Sequence, residues 1–125
     1  MCYSAEASFA ASGVLAATSI AIARQPKDKA SSLLSLFPAI FAAHQFTEGL
    51  IWLQQDGILS YTYQPVIVYT YALIAFVLWP VIVPLAAYQL EPDRRRRMII
   101  LICQAIGLWV GYTLLLSIIH TPVQV

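Results

Sequence analysis

The sequence predicts an all-α integral membrane bundle of four transmembrane helices with both termini on the non-cytoplasmic side, and three observations predict it. First, 60% of the 125 residues are hydrophobic and 10% are charged, with a mean hydropathy of +0.74, whereas soluble domains carry about 25% charged residues. A core built from so short a chain cannot hide that much apolar surface, and lipid can solvate it. Second, four apolar segments, at about 5–23, 33–55, 65–90 and 98–119, lie near the ~20 residues that a spanning helix needs. They lack the period-2 alternation of barrel strands, so helices must satisfy the backbone in lipid. Third, all seven basic residues fall in two places: Arg24, Lys27 and Lys29, then Arg94, Arg95, Arg96 and Arg97. The positive-inside rule puts both loops on the cytoplasmic face. The loop 56–64 and both chain ends carry no Lys or Arg, and they take the opposite face.

In the first helix, Ser4, Ser8, Ser12 and Ala16 recur every four residues and form a small-residue face on which another helix can pack closely. Ser8 and Ser12 are also candidate hydrogen-bond partners for the second helix. Met1 to Phe9 has neither Lys nor Arg, unlike the basic start of a secretory signal peptide, so the first helix is expected to be retained. The second helix carries a polar stripe, Phe41, His44, Gln45, Glu48, Trp52 and Gln55, at steps of three and four. Pro38 removes a backbone donor before it and is expected to kink the helix. Tyr61, Tyr63, Tyr69 and Tyr71 gather near the outer end of the third helix as interface anchors, with one hydroxyl a candidate to reach Glu48. Pro80 and Pro84 predict a bend in the inner half of that helix. The fourth helix contains Gly107-x-x-x-Gly111, a close-approach pairing motif. Gln104 is expected to bond across helices, and His120 closes the helix at the outer interface. Cys2 and Cys103 fall at opposite ends of the bundle and are expected to be free thiols.

The chemistry concentrates at His44 and Glu48. An ionisable group near the bilayer centre costs on the order of 2.5–3.5 kcal/mol on insertion scales, and so marks a functional site by default. The i, i+4 spacing puts imidazole and carboxylate on one helix face, which suits metal ligation or proton relay. The candidate cofactor-binding residues are His44, Glu48, Gln45 and Ser8; a metal would take His44, Glu48 and the Cys2 thiolate. Four readings compete: a polar knot that fixes helix register, a metal or cofactor site with haem among the options, a proton or quinone site, and lipid-modifying hydrolysis by Ser8 or Cys2. The last lacks a Gly-x-Ser-x-Gly or His-rich motif. Nucleic acid is excluded as a partner, because the arginine run is short, lies against the membrane and has no interleaved aromatics. Contact with anionic lipid headgroups fits the run better.

The stretches MCYSAEASF, HQFTEGLIWL and EPDRRRRMI resemble an uncharacterised family of bacterial multi-pass membrane proteins, a domain of unknown function. Its members begin MCFSA-x-ASF and carry Q-x-x-E-G-x-x-W, which falls here on Gln45, Glu48, Gly49 and Trp52; Tyr3 replaces the usual Phe. The resemblance implies no activity. It does imply the bacterial inner membrane, and relatives that continue past the equivalent of Thr121 to Val125, so that residues 1–125 read as a single transmembrane domain, either a short member or the N-terminal part of a longer one. The expected role is an accessory or binding subunit of a membrane complex, associating with other membrane subunits or with itself, with a buried polar site at His44 and Glu48 that holds a metal or other cofactor. The alternative is a membrane-embedded enzyme or a proton or small-solute carrier using the same pair.

Overall fold

The computed structural model describes residues 4–25 and 32–120, and the described residues are helical with no strand among them. Helix α1 spans Ala5–Ala23, matching the first apolar segment. Ser4 caps it: its Oγ accepts from the Ala7 N–H at 3.2 Å, and Glu6 in the first turn complements the positive end of the helix dipole.

A 3₁₀ turn at Leu34–Leu36 leads into α2, Phe37–Gln55. Pro38 does not kink this helix as expected. It lies in the first turn, where a missing N–H leaves no intrahelical bond broken, and the regular helix therefore begins at Phe37. At the other end, Gly57 N–H donates to the Gln54 carbonyl at 3.1 Å and Ile58 N–H to the Leu53 carbonyl at 2.9 Å. This bond pair needs a left-handed residue after the cap, and Gly57 supplies it with φ of 71°.

From Tyr61 to Leu90 the chain is helical for 30 residues, comprising a 3₁₀ turn at Tyr61–Tyr63, α3 at Gln64–Ala72, a π-helical turn at Leu73–Leu78 and α4 at Trp79–Leu90. The wide turn lies just before Pro80, in the stretch where the prolines predict a departure from regular helix. Trp79 N–H reaches back five residues to the Ile74 carbonyl, and Pro80, next in line, has no N–H with which to restore the four-residue ladder. Helix α5 spans Arg94–His120, starting at Arg94 rather than Met98. Asp93 explains the early start: its Oδ1 accepts from the N–H groups of Arg95 at 2.8 Å and Arg96 at 3.0 Å, an N-cap that the arginines, good helix formers, can follow.

Three helical stretches among the described residues are long and apolar enough to cross a membrane: Ala5–Ala23, Tyr61–Leu90 and Arg94–His120. Helix α2 has the length, at 19 residues, but His44, Gln45, Glu48, Gln54 and Gln55 dilute its apolarity.

The chain forms two compact units, one of residues 4–25 with 35–71, the other of 72–120 with 32–34. In the first, α1 packs against α2, and the pairing Ser12 with Ala42 and Phe9 with Phe46 and Gly49 makes the two antiparallel. In the second, α5 packs on α4 and the π-helical turn. Gly107 lies directly against the Pro80 carbonyl, so close that a Cβ at 107 would collide with it, and Gly111 faces the Val77 carbonyl and Val81. Pro84 has no N–H to give the Pro80 carbonyl, which is turned instead toward the one residue type that lets backbones touch. Both small-residue faces are thus used inside the chain, the serine face of α1 against α2 and the glycines of α5 against α4 and the π-helical turn. The Gln104 Oε1, expected to bond across helices, is buried without a partner among the described residues.

Candidate functional site

The polar site of the first unit is built where the first half of α1 meets HQFTEGLIWL. Phe9 seats its ring on Gly49, where a Cβ would come within 2.8 Å of the ring edge, and meets Phe46 edge-on with centroids 5.5 Å apart. The absent side chain at Gly49 lets α1 come close beside Glu48. One turn along, Ser12 Oγ donates to the Ala42 carbonyl at 2.8 Å and pins the two helices in register. Ser8, next to Phe9 and one turn before Ser12 on α1, is fully buried, at 0% exposure.

Glu48 is buried at 6% exposure. His44 is half-buried one turn earlier, its ring 4.5 Å from that of Tyr71 with the planes tilted by 36°. The Glu48 carboxyl group lies within electrostatic reach of both rings, so α2 and α3 bring imidazole, phenol and carboxyl group to one place. Thr47, also buried, turns its hydroxyl back to the His44 carbonyl at 2.8 Å and leaves the imidazole alone.

Two polar atoms here have no hydrogen-bond partner among the described residues although buried: His44 Nε2 and Ser8 Oγ. A buried donor or acceptor left unmade costs about 1–3 kcal/mol, so each calls for an explanation. Ser12, and not Ser8, makes the expected bond to the second helix. The polar stripe of α2 is buried only at its centre: Glu48 is covered, His44, Gln45 and Trp52 are half-buried, and Phe41 and Gln55 are exposed. Phe41 and Gln55 are the two ends of the stripe, which is covered only around Glu48.

Among the described residues no group of three or more His, Cys, Asp or Glu side chains gathers as a metal site. His44 and Glu48 are two donors, and Cys2, the expected third, lies outside the described residues. Of the four tyrosines, Tyr71 is the one whose ring meets His44. Gln54 gave no such signal in the sequence; at 2% exposure it donates from Nε2 to the Ser60 carbonyl at 3.2 Å and ties the end of α2 to the following turn.

The described residues thus form a helical protein with apolar helices long enough to cross a membrane and, on one of its units, a His44–Tyr71 ring contact beside buried Glu48. It belongs to a family of unknown function (DUF6629), whose profile matches residues 1–124. Comparison with curated proteins and with solved structures returns no match.

Proposed function

We propose that this protein is a small polytopic membrane subunit with four crossings, α2 included, that holds a ligand at His44 within a larger assembly. The observation that carries the reading is the buried, unpartnered His44 Nε2 beside buried Glu48. Two protein donors are too few for a bare ion, which takes about four in a structural site. A metal complex that brings most of its own ligands, such as haem, would need a single imidazole from the protein, which His44 would supply. Helix α2 can cross because Thr47, Glu48 and Gln54 are buried and His44 and Gln45 half-buried, and the positive-inside pattern favours both termini outside.

The test is elemental analysis with an absorption spectrum on the natively purified assembly, repeated on His44→Ala and on Glu48→Gln. A stoichiometric metal or haem signal that His44→Ala abolishes supports the reading. A colourless, metal-free wild type overturns it. The His44–Tyr71 contact favours a second reading, proton transfer along His44, Tyr71 and Glu48. In proteoliposomes, proton uptake lost in Glu48→Gln with no bound chromophore is the result that selects it.

A further inference from the structure

We infer that the outer surface of α5 is a binding site for one anionic phospholipid, distinct from the His44 site and independent of it. Met98, Leu101, Ile102, Ala105, Ile106 and Trp109 line an open, shallow apolar groove along α5. They repeat at steps of three and four and form one stripe along the helix. Ile102 is 61% exposed and Trp109 68%, so the stripe faces away from the packing of α5 on α4.

Length and charge identify the occupant. From Met98 to Trp109 the helix rises about 16 Å at ~1.5 Å per residue, close to half of the ~30 Å hydrocarbon core and so to the depth of one leaflet. Stepping back three and four residues from Met98 along the same stripe leads to Arg95 and Arg94, at headgroup level. Both are exposed, and among the described residues neither guanidinium is engaged with a carboxylate.

Arg97 is committed elsewhere. It lies over the Tyr88 ring, 5.1 Å from the centroid, and donates from Nε to the Glu91 carbonyl at 3.1 Å, which braces the turn into α5. Of the four arginines, Arg97 is structural, and the pair Arg94 and Arg95 is placed to meet a phosphate while an acyl chain follows the groove. Guanidinium suits that role, since its planar donors match phosphate oxygens two at a time.

The test is native mass spectrometry of the full chain in detergent, titrated with phosphatidylglycerol or phosphatidylcholine. Wild type is expected to retain one phosphatidylglycerol and to bind phosphatidylcholine at least tenfold more weakly. The double variant Arg94→Gln/Arg95→Gln should lose about thirtyfold in affinity for phosphatidylglycerol, from the usual contribution of two basic residues near an anionic surface. Arg97→Gln should change it less than threefold. Ala105→Trp, which fills the groove, should abolish retention of either lipid with all arginines present. Equal binding of the two lipids, an unaffected double variant, or an equal loss in Arg97→Gln each overturns the proposal.

Discussion

At the scale of single residues, the two serines of α1 separate what packs from what waits for a partner. Ser12 bonds the Ala42 carbonyl across the seam, and side-chain bonds of this kind within membranes average about 0.6 kcal/mol. Ser12→Ala should therefore lower stability by roughly that amount in steric-trapping or thermal measurements in detergent. Ser8 is more deeply buried and its hydroxyl is unmet. Ser8→Ala removes an orphaned polar atom and should leave the ligand-free protein as stable or more so, by up to about 1–3 kcal/mol; a loss larger than that of Ser12→Ala would mean that the hydroxyl has a partner. Gly49 supplies a third case. Gly49→Val drives a branched side chain into the Phe9 ring, at an expected cost of about 1–3 kcal/mol for overpacking. Combining it with Phe9→Ala should recover part of that loss, a coupling measurable in a double-mutant cycle.

At the scale of elements, the fit of α5 on α4 rests on a carbonyl that proline leaves unbonded and a glycine that can approach it. Gly107→Ala places a Cβ against the Pro80 backbone, which cannot swing aside as a side chain would. The variant should lose about 1–3 kcal/mol and raise hydrogen exchange along α4 and α5. Gly13 is the control, since nothing lies within 4 Å of its would-be Cβ. Gly13→Ala should be neutral or stabilising by up to about 1 kcal/mol, the helix propensity difference. The contrast between two helical glycines tests whether Gly107 serves packing or merely composition. The Gly-x-x-x-Gly spacing was legible in the sequence and so were the prolines; their mutual contact was not, because it depends on which faces the π-helical turn brings together.

At the scale of the whole molecule, the proposed four-crossing arrangement with both termini outside makes a direct expectation. In a background with Cys2→Ser and Cys103→Ser, Ile58→Cys should react with a membrane-impermeant maleimide in intact cells, and Gln89→Cys only after permeabilisation. Ile58 is 73% exposed and Gln89 is exposed, so access to the reagent depends on the side of the membrane alone. Labelling of both positions from outside would remove α2 as a crossing.

The sequence by itself determined the helical class, the α1 boundaries, the apolar character of three long helices and the residues at which polar groups enter α2. These follow from composition and from periodicity along the chain, which act locally. It placed Pro38 wrongly, because a proline in the first turn and one in mid-helix read alike until the helix start is known, and it set the start of α5 late by weighting hydropathy over the Asp93 cap. Only the tertiary structure decided that Phe9 sits on Gly49, that Tyr71 is the tyrosine beside His44, and that the small-residue faces are spent within the chain. Each depends on the rotation of one helix about its axis against its neighbour, which is set by the sum of many packing contacts and leaves no periodic trace in either helix alone.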